Sequence, residues 1–263
     1  MPTDISIIIP SRLAPVDPDR PGTFWLEQAV ASIQQQTVLD QVEIEILVGI
    51  DHGVSVPSAF INSGDNLSFI PAPANSIGQV AAVNEAVAQS RGKYLAFLED
   101  DDRWHPNFLK RVSGVISERD FVSSSQLEML PNGPVIRIFD FPTPVGWFMR
   151  RELWDEMGGL NTAYKYHFDN DWLGRITNVG KRRVHLVEAG APLDPEKIRT
   201  TRPDLHRVKM NSAIGYVSES VPLVTRTVNP HGGMISIKTN ADAASRSRQE
   251  RLRLTEVYGH VPW

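Results

Sequence analysis

The run Lys93-Tyr94-Leu95-Ala96-Phe97-Leu98-Glu99-Asp100-Asp101-Asp102-Arg103-Trp104 carries the chemistry most open to interpretation. Its apolar half, Tyr94 to Leu98, reads as a buried strand. It ends in four consecutive carboxylates. Two carboxylates about 5 Å apart repel by roughly 3 kcal/mol at an effective dielectric near 20, and by less than about 1 kcal/mol in bulk water. Such crowding at the mouth of a buried strand calls for a divalent metal, a basic side chain or plain solvent. Oxygen-only ligands favour magnesium or manganese over zinc, and a metal held by one or two carboxylates completes its shell with phosphate oxygens and water. One reading is therefore a metal–diphosphate site. The other is a solvated acidic turn that caps the following helix.

The elements around this run decide where it points. Ile5-Ser6-Ile7-Ile8-Ile9 is a continuous β-branched strand of the kind covered on both faces, stopped by Pro10. Leu26, Ala29, Val30 and Ile33 follow at helical spacing with Thr23 as a cap. Glu43 to Ile50 is a second strand ending at Asp51-His52-Gly53, and Leu67 to Ile70 a short third. A helix runs from about Ser76 to Ser90 and closes at Arg91-Gly92. This order, with apolar rather than alternating strands, predicts an α/β fold with a largely parallel sheet flanked by helices. Ligands bind such sheets at the carboxyl ends of the strands. Pro10-Ser11-Arg12, Asp51 and Glu99 to Asp102 all fall there, which favours a metal–nucleotide site over a solvated turn.

Beyond the acids, Trp104-His105-Pro106 opens a helix whose apolar face is Phe108, Leu109, Val112, Val115 and Ile116. Phe121 to Met129 and Val135 to Phe139 read as strands joined by a hairpin-like turn. Arg150 to Trp154 starts a helix that stops at Gly158-Gly159, and Asp169-Asn170-Asp171 precedes another, Trp172 to Val179. Val184 to Val187 is expected to be the last strand of the sheet. From Asn240 to Tyr258 the chain is polar and helix-compatible, a candidate surface for a second copy in a homodimer.

Bulk properties exclude several classes. The chain has 263 residues, 41% hydrophobic and 22% charged, a formal charge of -4 and no cysteine. The charge argues against nucleic-acid coating, and the missing cysteines exclude disulfides and thiolate chemistry. Met1-Pro2-Thr3-Asp4 lacks a signal-peptide pattern, and no apolar run is long enough to span a bilayer. The expectation is a cytoplasmic protein, with association at the inner face of a membrane left open. No G-x-G-x-x-G, G-x-x-x-x-G-K-[ST] or G-x-S-x-G appears, so a nucleotide would be held by acids, a metal and isolated basic groups.

Taken in order, these motifs resemble the family 2 glycosyltransferases, inverting enzymes of the GT-A fold. The resemblance runs from Ile5-Ser6-Ile7-Ile8-Ile9-Pro10-Ser11 through Asp51-His52-Gly53, Asn84 and Gly92 to Leu98. Glu99-Asp100-Asp101-Asp102 looks like the family's Asp-x-Asp-Asp, with Trp104 and Pro106 at the expected distances. Gly146 to Arg151, Met157 to Asn161 and Phe168 to Ile176 resemble its second half. Glu99 replaces the first acid of Asp-x-Asp, and Phe168 replaces the Glu of a Glu-Asp pair. The family's Ala-Arg-Asn reads Ala82-Val83-Asn84, so Arg12 or Arg91 would have to replace a diphosphate-contacting Arg.

The resemblance implies one GT-A unit over 1–263, with a smaller acceptor-side subdomain. Residues 1–102 would bind the nucleotide sugar, 103–215 the acceptor, and 216–263 would form a C-terminal loop and helix. It implies a nucleotide-diphosphate sugar donor, UDP before GDP, a saccharide or glycolipid acceptor, and Mn2+ or Mg2+. Asp51 would accept from a base edge with Pro10 packed nearby. Arg12, Asn84, Arg91, Glu99 and Asp100 would contact the rest of the donor. Asp101, Asp102 and His231 would hold metal. Asp169 would be the general base, ionised at neutral pH at its ordinary pKa of about 3.9, with Asp171 in reserve. The plainer alternatives remain: an Asp at a strand end caps a turn, and Asp169 or Asp171 is also an N-cap signal. The basic stretch Arg199 to Lys209 is a candidate lid or a solvated face, and Trp104 and Trp147 would stack on sugars or fill the core. A silent nucleotide- or glycan-binding module on the same fold is the rival reading. A sugar-1-phosphate nucleotidyltransferase would need a Gly-rich loop after the first strand, which Pro10-Ser11-Arg12-Leu13 does not supply.

Overall fold

The computed structural model describes residues 3–19, 22–60, 66–76, 78–131, 133–188, 205–206, 214–219, 221–230 and 232–262. Its backbone is a large sheet of eight strands: β1 (Ile5–Ser11), β2 (Ile44–Ile50), β3 (Leu67–Pro71), β4 (Tyr94–Phe97), β6 (Phe121–Ser124), β9 (Phe148–Arg150), β10 (Arg183–Glu188) and β12 (Ile214–Glu219). They lie in the order β12-β10-β6-β9-β4-β1-β2-β3. β9 is antiparallel to both neighbours, β4 and β6, and every other adjacent pair is parallel. β12 therefore lies outside β10, where the sequence reading places the last strand.

A second sheet of five short strands lies in the order β11-β8-β7-β13-β5. These are β5 (Arg103–Trp104), β7 (Gln126–Met129), β8 (Val135–Phe139), β11 (Leu205–His206) and β13 (Val224–Thr227). The segment Phe121 to Met129, a single strand by apolar pattern, is thus two strands in two sheets, with Ser125 between them. The change of sheet comes where Ser124, Ser125 and Gln126 are all buried; there Ser125 Oγ donates to Asp140 and Gln126 Nε2 to the Phe141 carbonyl.

Helices cover both faces of the large sheet, because strand residues alternate sides. On one face Ile5, Ile7 and Ile9 pack with Leu26, Ala29 and Ile33 of α1 (Trp25–Gln34) and with Phe108, Leu109 and Val112 of α3 (Phe108–Val115). On the other, Ile8 and Leu47 pack with Val80, Val83 and Val87 of α2 (Gln79–Gln89). The same core takes in Leu153 and Trp154 of α4 (Arg151–Met157), Trp172, Leu173 and Ile176 of α5 (Phe168–Asn178), and Leu254. Gly49 lets α2 approach β2: a Cβ there would lie 2.3 Å from the Ala82 carbonyl oxygen.

The chain ends in α6 (Gly233–Thr239) and α7 (Ala241–Tyr258). Asn240 caps α7 by accepting from the Asp242 and Ala243 N–H groups at 2.9 and 3.0 Å. One face of this polar helix packs against α5: a Cβ on Gly174 would lie 2.8 Å from the Tyr258 ring. Trp104 and Trp147 are core residues. Trp104 stacks on Phe108 at 4.3 Å and donates to the Val145 carbonyl. Trp147 is fully buried among Phe97, Phe121 and Trp172 and donates to the Pro142 carbonyl. No helix among the described residues is long and apolar enough to cross a membrane.

Candidate active site

The parallel strands β1, β2 and β4 end on one edge of the sheet, and that edge gathers the acids. Asp51 follows β2 and accepts from the Gly78 N–H at 2.7 Å. Gly78, at φ 97°, forms the N-cap of α2. The Asp51 carboxylate therefore joins the end of β2 to the start of α2. Pro10, near the end of β1, pairs with Gly49 in the sheet.

After β4 the four acids divide. Asp100 turns back to β1, where its Oδ2 accepts from Ser11 Oγ at 2.6 Å. The Arg12 N–H and guanidinium also favour its charged form. Burial, joined by the charge of Glu99, outweighs these partners and pushes its pKa up to about 6. The same Ser11 hydroxyl accepts from the Leu13 N–H at 2.9 Å. Leu13 has φ 53°, the one positive value at a non-glycine among the described residues. Such a conformation costs about 1–3 kcal/mol and persists only where its surroundings impose it; here it keeps Ser11 and Arg12 against Asp100.

The other three converge. Glu99, Asp101 and Asp102 each offer a carboxylate oxygen within 4.8 Å of the others. Glu99 accepts from Gln79 Nε2 at 2.7 Å and Asp101 from Asn229 Nδ2 at 2.9 Å. Asp102 is buried; its Oδ1 accepts from the Thr227 N–H at 2.7 Å, and its Oδ2 has no hydrogen-bond partner among the described residues. Burial first, then the neighbouring carboxylates, pushes Asp101 up to about 7 and Asp102 well above the usual carboxylate range. A buried oxygen without a partner beside two other carboxylates is the donor set of a hard divalent cation. These residues fit manganese or magnesium. The metal set drawn from sequence was Asp101, Asp102 and His231; the structure adds Glu99, and His231 lies outside the described residues.

Asp169 sits in the first turn of α5, partly buried, and accepts from the Asn170 N–H at 2.8 Å. Burial raises its pKa to about 7; the Glu99 charge adds to the rise and Arg226 opposes it. Its neighbour Asp171 has another task. It is buried, its Oδ2 is paired with Arg175 at 2.9 Å and its Oδ1 accepts from the Tyr258 hydroxyl at 3.0 Å. The structure therefore leaves Asp169 as the base candidate and uses Asp171 to join α5 to α7. Neither side chain caps α5, whose N-cap is His167.

Two proposed donor contacts are corrected by their positions. Asn84 donates to the Leu160 carbonyl at 2.8 Å and accepts from the Leu160 N–H at 2.9 Å, so both ends of its amide pin the turn after α4. Arg91 precedes β4 and pairs with Glu45 at 3.1 Å. The length of β4, four residues at about 3.3 Å each, separates it from the acids. A parallel strand carries its two ends to opposite edges, so of the two basic candidates only Arg12 is at the site.

Several site residues left no mark in the sequence. Arg226, on β13, carries the cation that faces Asp102, Glu99 and Asp101. Its Nη1 is 2.7 Å from Glu128, which also pairs with Arg137 at 2.5 Å. Glu250 of α7 accepts from the N–H groups of Lys165, Tyr166 and His167 at 2.8, 2.8 and 3.1 Å, gathering the turn that leads to Asp169. Those bonds and Arg246 hold its pKa down against the effect of burial. Arg226 and Glu250 reach the site through pairings about a hundred residues apart in the chain, which no local spacing reveals.

Comparison with known proteins follows the same outline. The family model described as glycosyl transferase family 2 matches residues 6–128, which takes in the motifs up to Trp104 and Pro106 and leaves those from Gly146 to Ile176, Asp169 among them, outside the match. No curated protein sequence matches the chain. Among solved structures, Staphylococcus aureus TarS 1–349 aligns with TM-score 0.55 and 15% identity over 86% of this chain and 60% of its own. The same TarS segment in complex with UDP-GlcNAc aligns with TM-score 0.56 and 14% identity over 96% of this chain and 67% of its own. Mannosyltransferase PcManGT from Pyrobaculum calidifontis, in complex with GDP-Man and Mn2+, aligns with TM-score 0.56 and 13% identity over 96% and 66%. The chain thus spans about two thirds or less of these proteins. The likeness establishes the GT-A fold.

Proposed function

We propose that this chain, a family 2 glycosyltransferase over residues 6–128, works as an inverting enzyme that moves a sugar from a nucleotide diphosphate, UDP before GDP, to a saccharide or glycolipid hydroxyl. The observation that carries the reading is the triad Glu99, Asp101 and Asp102 at the carboxyl edge of the sheet, with the buried Oδ2 of Asp102 unpartnered. The UDP-GlcNAc complex of TarS and the GDP-Man and Mn2+ complex of PcManGT support a nucleotide-sugar donor and a divalent ion.

In this reading Asp51 accepts from the base edge and Pro10 packs beside the ring. Asp100, braced by Ser11, fixes the turn over which ribose lies, and Arg12 faces the diphosphate. Glu99, Asp101 and Asp102 would hold Mn2+ or Mg2+, which when bound supplies Lewis-acid stabilisation of the departing diphosphate. Asp169 accepts the proton of the acceptor hydroxyl as that oxygen attacks the anomeric carbon and the bond to the diphosphate breaks. One base opposite one leaving group gives inversion, through the oxocarbenium-like transition state usual for glycosyl transfer. Arg226 supplies permanent positive charge behind the acids, and Glu250 keeps the turn before Asp169 in place.

The test is a thermal-shift titration with UDP and Mn2+ followed by a turnover screen of nucleotide sugars. UDP with Mn2+ should raise the melting temperature, and Asp101→Ala should remove most of that rise. No stabilisation by any nucleotide, with or without metal, would defeat the donor-site reading. Stabilisation without turnover of any donor would favour a silent binding module.

A further inference from the structure

We infer that the groove along α7 is an acceptor track built for a polyhydroxylated chain, of sugar or polyol units, carrying negative charge along its length, an inference that rests on the transferase reading above. Two cavities meet on this face. One, of about 440 Å³, is lined by Arg12, Lys165, Tyr166, Ser236, Asn240 and Arg246 among others. The second, of about 470 Å³, is lined by Ala163, Ser245, Arg246, Gln249, Glu250 and Arg253 among others. Asp242 and Arg246 line both, so the two form one path. Each has a volume within the range of about 300–1,000 Å³ typical of ligand sites. From Asp242 to Arg253 the path follows eleven residues of helix, about 16 Å at 1.5 Å per residue.

One end of the path lies at the proposed chemistry. Arg12 bonds Asp100 through its backbone, and Lys165 and Tyr166 belong to the turn that delivers Asp169. A chain lying in the groove would present a terminal hydroxyl between the donor acids and the base.

The lining sets the class of that chain. Arg246 and Glu250 pair with each other at 3.0 Å, which leaves Lys165 and Arg253 against Asp242 along the path, with Arg12 at its donor end. Glu250 is already spent on three backbone N–H groups and Arg246. The groove is therefore positive on a protein whose formal charge is -4. Lys165 lies over the Tyr166 ring at 5.4 Å and Arg253 over the Tyr164 ring at 5.6 Å, which seats both cations on the path. The neutral lining, Ser236, Asn240, Ser245 and Gln249, is hydroxyl and amide, suited to sugar or polyol hydroxyls. Spaced cations with polar groups between them match repeating anionic units.

The experiment measures binding by the whole donor-free chain to three probes of equal length: a galacturonate tetramer, a glycerol phosphate tetramer and maltotetraose. At least one charged tetramer should bind tenfold or more tightly than maltotetraose, with affinity falling as salt rises. Whichever charged tetramer binds better identifies the anion as carboxylate or phosphodiester. Lys165→Glu with Arg253→Glu should weaken the charged probe tenfold or more, and Lys165→Gln with Arg253→Gln should fall between that variant and the wild type. Melting curves confirm that both variants fold, and the neutral-residue pair decides the matter if the charge-reversed pair does not. Equal binding of neutral and charged probes, no binding of either charged probe, or undiminished binding in folded variants would overturn the inference. The UDP and Mn2+ thermal shift of the same preparation reports separately on the donor site.

Discussion

At the scale of single residues, the account turns on carboxylates held in an interior that disfavours their charge. Asp100, Asp101 and Asp169 have pKa values raised to about 6, 7 and 7, all through burial first. A carboxyl whose folded pKa lies above its unfolded value stabilises the fold below the unfolded value, and that stability is lost as pH rises through the folded value. These three groups should therefore cost the metal-free protein stability as pH rises from about 4 to about 7, with little further change above that. Mn2+ should reverse the trend and raise the melting temperature more at pH 8 than at pH 5.5; differential scanning fluorimetry across pH checks both. Asp169→Asn should lower transfer to an acceptor by roughly 10²–10⁴-fold, the usual worth of a general base, while the UDP and Mn2+ thermal shift persists. Unchanged transfer in that variant would refute the assignment. The acids were legible in the sequence because they are contiguous and follow an apolar run. Their division of labour was not, since Asp100 facing Ser11 while Glu99 joins Asp101 and Asp102 depends on how the turn after β4 winds.

At the scale of elements, strands and helices place these groups by simple geometry, and the sequence showed most of it. Apolar runs marked β1, β2 and β4, and their parallel order put three polar ends on one edge. What failed was local logic applied to long-range partners. Arg91 looked like a neighbour of the acids in sequence, yet β4 carries it to the far edge. Asn84 has the right residue type, but its amide is consumed by Leu160. The Asp residues at the start of α5 read as a general base and its reserve, or as caps; neither side chain caps the helix, and the turn ahead of it is held by Glu250, a residue of α7 eighty or more positions away. Glu250→Ala should leave those N–H groups without their charged acceptor and cost about 1.5–3 kcal/mol, measured by urea unfolding. It should also lower turnover more than donor affinity, because it loosens Asp169 and leaves the triad intact. Gly49→Ala should be worse tolerated, costing about 3 kcal/mol or more, because the new methyl meets the backbone of α2 at 2.3 Å.

At the scale of the molecule, two sheets meet at the acids. The large sheet delivers Glu99 to Asp102 from β4, and the chain passes straight into β5, the edge of the small sheet. There β13 returns Arg226, Thr227 and Asn229 to the same carboxylates. The small sheet thus closes one side of the triad, and Asp169 of α5 faces Glu99 from another. This closure was invisible in sequence because β13 pairs with β5 across about 120 residues and neither strand has a pattern of its own. Arg226→Ala should remove the cation that balances the triad; donor-free protein should then melt lower, and the loss should shrink when Mn2+ replaces the missing charge. The most direct measurement of the central claim is the anomalous scattering of manganese in a crystal grown with UDP and Mn2+. The account predicts a single strong peak bonded by carboxylates of Glu99, Asp101 or Asp102 and by the UDP diphosphate. A peak elsewhere, or UDP bound with no ion at the triad, would contradict it.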